Sequence, residues 1–182
     1  MISPENQVLI KHCLAGQRSA QETIYKKYVK AMYHIAVRMV PERQVAVDLT
    51  QDVFMKVFEE LGRFRGESTL GGWIKRITIN TCLNHLRISD RLKMDELNEK
   101  QLLIPEIDTT VPTDIDMRKI HEAIKALPDG SRTVLNLYLL EGYRHNEIAA
   151  ILGITESTSK TQYRRGRILL QEKLKTVYYN ED

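Results

Sequence analysis

The chain has 182 residues, of which 42% are hydrophobic and 28% charged, and it carries a net charge of +3, a globular composition with length for one large domain or two small ones. No apolar run approaches the ~20 residues of a membrane span, and the N-terminus lacks a signal-peptide core, so the expected location is the cytoplasm, without membrane insertion. Cys13 and Cys82 lack metal-ligand spacing and the five histidines do not cluster with them, so no disulfide, metal or cofactor is expected.

Taken in chain order, almost every segment has helical periodicity, with Pro and Gly at the boundaries. Ser3-Pro4-Glu5 opens a first helix, with Val8, Leu9 and His12 or Cys13 on its packing side, and Gly16 closes it. Ser19 opens a second, carrying Ile24, Tyr25, Tyr28, Met32, Ile35, Ala36 and Met39 and ending before Pro41. A third covers residues 43–61, with Val45, Leu49, Val53, Val57 and Leu61 inward. Residues 63–72 form a basic loop containing glycines, after which Trp73 begins a helix reaching residue 91.

Periodicity then fades, and Pro105 and Pro112 interrupt it. Residues 90–116 hold eight acids against three bases, the make-up of a flexible acidic linker. The expected architecture is therefore all-α: a first domain over residues 1–92, a linker over 93–113, and a second domain over 114–182. The second domain is expected to pack four helices, over residues 116–127, 131–140, 145–152 and 156–175.

The last two of these helices form a helix-turn-helix. Ala149 is small where the helices cross, and Gly153 supplies the positive φ of the turn before Ile154. On the final helix Ser159, Tyr163, Gly166, Leu170 and Leu174 share one face and should pack, while Ser157, Lys160, Thr161, Arg164 and Arg165 lie away from it. Residues 143–175 contain seven Lys/Arg against three acids. Such an excess suits phosphate binding, and equally a solvated helix face.

Two further clusters stand out. Asp48, Gln51 and Asp52, at i, i+3 and i+4, form an acidic polar patch on a helix surface, itself a common make-up for a solvated face. The loop around Phe64 combines an aromatic ring, Gly66, the Ser68 hydroxyl and the cations Arg63 and Arg65, the components that single-stranded DNA recognition requires. Phe64 is also a candidate for the core. On the following helix Arg76, Asn80, Asn84 and Arg87 fall within an arc of about 80°, a polar stripe without acids.

Three stretches carry a resemblance to a known family: Asp48-Leu49-Thr50-Gln51-Asp52-Val53-Phe54-Met55-Lys56-Val57-Phe58; Phe64-Arg65-Gly66-Glu67-Ser68-Thr69-Leu70 continuing through Trp73-Ile74-Lys75-Arg76-Ile77 to Asn80 and Leu86-Arg87; and Ala126-Leu127-Pro128 followed by Glu147-Ile148-Ala149-Ala150-Ile151-Leu152-Gly153-Ile154-Thr155-Glu156. In this order they resemble the extracytoplasmic-function sigma factors, bacterial transcription-initiation factors built from sigma domains 2 and 4. The resemblance implies a protein that is not an enzyme, binds core RNA polymerase and promoter DNA, and in many members is held by an anti-sigma factor. It implies that Asp48, Gln51 and Asp52 dock on polymerase. It assigns the melted −10 strand to Arg63, Phe64, Arg65, Ser68, Trp73, Arg76, Asn80, Asn84 and Arg87. It assigns the −35 duplex to Arg144, Ser157, Thr158, Lys160, Thr161, Arg164 and Arg165.

The chain departs from the family pattern at several positions. Val47 stands where many members have an acid, which weakens the electrostatic part of docking. Gly71-Gly72 replaces bulkier residues, implying a more flexible loop. Ser159 stands at an inward position usually held by Val, and a serine can be buried there if its hydroxyl bonds back to a helix carbonyl. Gln162 replaces a frequent Arg and removes a phosphate contact, and Gly166 costs about 1 kcal/mol of helix propensity relative to Ala, tolerable if close helix approach requires it. A rival reading is a free-standing helix-turn-helix regulator whose first domain is a sensor or dimerisation module. No phosphate loop, metal constellation or nucleophile motif supports an enzyme.

Overall fold

The computed structural model describes residues 3–90 and 116–179, with side chains placed for 3–86 and 116–177. Every regular element among the described residues is a helix, and the chain divides into two compact units, Met1–Ile88 and Ser89–Asp182. The expected acidic linker, residues 93–113, lies outside the described residues.

In the first unit α1 spans Pro4–Leu14, α2 Arg18–Met39, α3 Arg43–Glu60 and α4 Leu70–Asp90, with a 3₁₀ turn at Leu61–Arg63. Ser3 caps α1, its Oγ accepting from the Asn6 N–H at 3.3 Å. Val8, expected to pack, is 54% exposed, and Cys13 takes the buried place on α1. Helix α2 begins one residue before the expected Ser19, because the Gln17 carbonyl already accepts from the Ala20 and Gln21 N–H groups. It ends as expected: Val40, before Pro41, is extended at ψ 139°.

Helices α2 and α3 pack together, burying Ile24, Met32, Ile35 and Ala36 from one and Leu49, Thr50, Val53 and Val57 from the other. The inward side of α3 is turned slightly from expectation: Ala46 is fully buried and Val45 only half-buried. The Phe54 ring meets Tyr25 edge-on at 4.8 Å. Both cysteines are buried, and burial pushes the Cys82 thiol up to about 12, which leaves it an inert core side chain.

In the second unit α5 spans Met117–Lys125, α6 Asp129–Leu139, α7 His145–Leu152 and α8 Glu156–Tyr179. Asp116 caps α5, accepting from the Arg118 N–H at 2.9 Å. Helix α6 starts two residues before the expected Ser131, because Pro128 sets the entry dihedral and Asp129 occupies the first position. All seven residues from Ser131 to Leu137 are buried, as befits a central helix that packs on both α7 and α8.

Arg132 is the largest of these buried side chains, only 1% exposed. Its Nη1 donates to the carbonyls of Lys125, at 3.1 Å, and Leu127, at 3.0 Å, and its Nη2 to the Asp129 carboxylate. The guanidinium thus satisfies carbonyls at the C-terminal end of α5, where a cation also suits the helix dipole.

Helix α8 is anchored where α6 passes it. A Cβ on Gly166 would lie 3.2 Å from the Ser131 carbonyl oxygen and 3.2 Å from Leu135 Cδ1, so the expected need for close approach is met. Ala at this position gains about 1 kcal/mol of helix propensity but forces a strain of about 1–3 kcal/mol against α6 backbone. Gly166→Ala should therefore lose about 1 kcal/mol of stability in urea unfolding; a gain would mean that α6 yields. On the opposite side of α8 Ile168 is also buried, a position the single-face expectation missed because α5 packs on α8 as well.

Candidate nucleic-acid and polymerase interfaces

Asp48, Gln51 and Asp52 are all exposed on α3, while Leu49, Val53 and Val57 are buried. The Gln44 Nε2 donates to Asp48 Oδ1 at 3.1 Å. Met55, which falls between these polar residues on the helical wheel, is 62% exposed. The patch is therefore two carboxylates and an amide around an apolar side chain. Sequence reading did not assign Met55 to it, although its i+3 and i+4 spacing from Asp52 and Gln51 carries the signal.

The segment after the 3₁₀ turn holds the aromatic pair. Phe64 and Trp73 are half-buried, their ring centroids 5.3 Å apart at 42°, so each ring is partly covered and partly open. Arg63, Arg65 and Ser68 are exposed around them, with the Ser68 hydroxyl donating to the Thr69 carbonyl at 3.3 Å. Helix α4 begins at Leu70 rather than Trp73, since the Thr69 Oγ1 accepts from the Gly72 N–H at 3.1 Å and Leu70 is fully buried. Gly71 and Gly72 consequently lie in a helical first turn instead of lengthening the loop. A Cβ on Gly71 would come 3.0 Å from Tyr28 Cε1, so what this glycine supplies is room for a ring.

Along α4, Arg76, Asn80 and Asn84 are exposed in one row while Ile74, Ile79, Cys82, Leu83 and Leu86 are buried. Arg87, expected to continue the row, lies outside the described side chains.

The helix-turn-helix has the expected turn. Gly153 is left-handed, at φ 67°, and the Ile154 N–H returns to the Ala149 carbonyl at 3.1 Å. Thr155 then caps α8, its Oγ1 accepting from the Thr158 N–H at 3.0 Å. Ser157, Lys160, Thr161 and Arg164 are exposed within an arc of about 100°. Thr158 and Arg144 are exposed outside that arc, and Arg165 is half-buried. The Arg144 N–H donates to Glu147 Oε2 at 2.8 Å, closing the first turn of α7. Lys160 pairs with Glu156 at 2.7 Å, and its hydrogen bond and charge hold the Glu156 carboxyl below its ordinary range. Both groups are exposed, so this pair yields readily to a phosphate.

Ser159 is buried, as its inward position implied, and both it and Gln162 find partners on other helices. The Ser159 hydroxyl does not bond back to its own helix; it lies fully buried, 2.9 Å from His145 Nδ1. Gln162 is half-buried and faces inward, its Oε1 accepting from the Ser131 hydroxyl at 2.7 Å. Its cost is therefore not simply a lost phosphate contact, since it ties α8 to α6.

Residues 24–92 match the family model for Sigma-70 region 2, and residues 117–170 the one for Sigma-70 region 4. The chain is 29% identical to the RNA polymerase sigma-H factor of Pseudomonas aeruginosa, over 95% of both proteins. It is 26% identical to the ECF RNA polymerase sigma-E factor of Escherichia coli, over 94% of this chain and 95% of that one. The chain belongs to the extracytoplasmic-function sigma factors. The fold is shared with the sigma factor RpoE of Bartonella quintana, solved in complex with the anti-sigma factor NepR: the TM-score is 0.59 at 24% identity, covering 85% of this chain and 96% of that one. As a sigma factor the protein binds core RNA polymerase and promoter DNA and directs transcription initiation. The region 2 match on the first unit disfavours a sensor or dimerisation module there. No described helix is long and apolar enough to cross a membrane.

Proposed function

We propose that the two units divide the work of promoter recognition. Residues 1–92 dock on polymerase through Asp48, Gln51 and Asp52, and hold the melted −10 strand on Arg63, Phe64, Arg65, Ser68, Trp73, Arg76, Asn80, Asn84 and Arg87. Residues 114–182 read the −35 duplex through Arg144, Ser157, Thr158, Lys160, Thr161, Arg164 and Arg165, and residues 93–113 join the two. The protein acts in the cytoplasm, and RNA synthesis is catalysed by the polymerase alone.

The observation that carries this reading is the contrast between two surfaces. The first offers a half-open aromatic pair beside exposed Arg and Asn side chains, suited to unstacked bases. The second offers hydroxyls and cations along one helix, suited to a groove and its phosphates. Binding by an anti-sigma factor is supported by the Bartonella structure, in which a protein of the same fold is in complex with one.

Reconstitution with core polymerase on fork-junction promoter DNA tests the division. Phe64→Ala should weaken binding to the forked −10 probe about tenfold, since one stacked base is worth about 1–3 kcal/mol, and Asn80→Ala, which removes hydrogen bonds, about threefold to tenfold, both sparing a −35 duplex. Arg164→Ala should do the reverse. Equal losses on both probes would remove the division of labour.

A further inference from the structure

We infer that His145 is a positioning residue for promoter recognition: held by the Ser159 hydroxyl, its ring sets the seat of α8 and so aims the residues that face the duplex. The inference rests on the reading that α8 meets the −35 duplex.

Ser159 is fully buried, yet its sequence neighbours Ser157, Thr158, Lys160 and Thr161 are exposed. It is therefore the inward point of the same two turns that would reach DNA. Among the described residues its hydroxyl has one hydrogen-bonding side-chain partner, His145 Nδ1, at 2.9 Å. The contact forms with either partner as donor, the hydroxyl to the bare ring nitrogen or Nδ1–H to the hydroxyl oxygen, and in both cases it fixes the ring against Ser159.

The ring itself is fixed from two sides. It stacks on Tyr138 of α6 at 4.5 Å and 17°, and meets Tyr163 of α8 edge-on at 5.5 Å and 68°. The two tyrosines also touch, their centroids 4.6 Å apart. Three helices thus converge on one imidazole.

The place of that imidazole along α7 gives the contact its leverage. The Gly153 turn joins α7 to α8 at the C-terminal end of α7, whereas His145 is its first residue. The packing of α8 on α6 holds its Gly166 region, and the tie at the far end of α7 adds a hold on its first two turns. Since α7 is about 12 Å long, a slip of about 1 Å at His145 turns α8 by about 5°. Apolar packing at position 159 opposes such a slip without direction, while a hydrogen bond opposes it along a line.

The test uses the full chain with core polymerase, and a duplex chosen from a random-sequence pool by the unsubstituted protein. Ser159→Thr and Ser159→Val have the same shape and differ only in the hydroxyl. The Thr variant should bind the duplex within about twofold of the parent and the Val variant about tenfold more weakly, with the melted −10 strand bound alike by both. Nitrogen-15 NMR should show the same His145 ring shifts in the parent and the Thr variant and different ones in the Val variant, which has lost the hydroxyl partner. Equal duplex affinities for the two variants, high or low, overturn the positioning role. Arg164→Ala serves as the control for the underlying reading: if it leaves duplex binding unchanged, α8 is not the duplex reader and that reading falls first.

Discussion

Asp52→Arg should weaken assembly with core RNA polymerase by about 10–100-fold, within the range that reversed charges produce at close protein–protein contacts. The side chain is exposed on α3 and the core lies on the other side of the helix, at Leu49, Val53 and Val57. Folding should therefore change by no more than about 0.5 kcal/mol. The two effects separate a docking patch from a stability element, and both must be measured on one preparation, by titration with core polymerase and by thermal unfolding. Val47 supplies no charge beside the patch, and Met55 is exposed amid the polar residues. Docking through this patch would accordingly have an apolar component, and added salt should weaken it less than a patch of acids alone would predict. A folded Asp52→Arg protein with unchanged polymerase binding would reject the assignment of the patch.

The helices were legible because punctuation and periodicity are local signals. Pro41 ends α2, Gly153 turns the chain between α7 and α8, and the exposed arc of α8 follows from its 3.6-residue period. What escaped was set by partners distant in sequence. Ser159 finds His145, 14 positions away, and Gln162 finds Ser131, 31 positions away. Neither pairing has a periodic signature, so helical period set Ser159 inward without naming the partner of its hydroxyl or of the Gln162 amide. Ile168 was missed for a related reason: a helix packed on more than one side has no single apolar stripe. At the start of α4 the Thr69 cap was the overlooked signal, a threonine three residues before an N–H that needs an acceptor. Arg132 was overlooked because a charged residue in a helix reads as surface unless its partners are known.

Arg132→Ala should be the most damaging single change in the second unit, costing about 3–5 kcal/mol. The loss has several parts. The Lys125 and Leu127 carbonyls lose their donor, a buried cavity opens, and Asp129 loses its cation. Asp129 is about one-third exposed, so water can take over that carboxylate. The carbonyls at the end of α5 are therefore the larger part. Asp129→Asn should cost less than about 1 kcal/mol, and Arg132→Lys, whose single ammonium cannot span both carbonyls and the carboxylate, should fall between the two. The consequence reaches DNA binding through packing, because Arg132 holds the corner between α5 and α6, and α6 is the helix on which α8 rests. Hydrogen exchange should accordingly show protection lost across α5–α8 and retained in α1–α4, together with lost duplex binding. If Arg132→Ala shifts stability by less than about 1 kcal/mol, or if Asp129→Asn costs as much, carbonyl capping by the guanidinium is not what holds this corner.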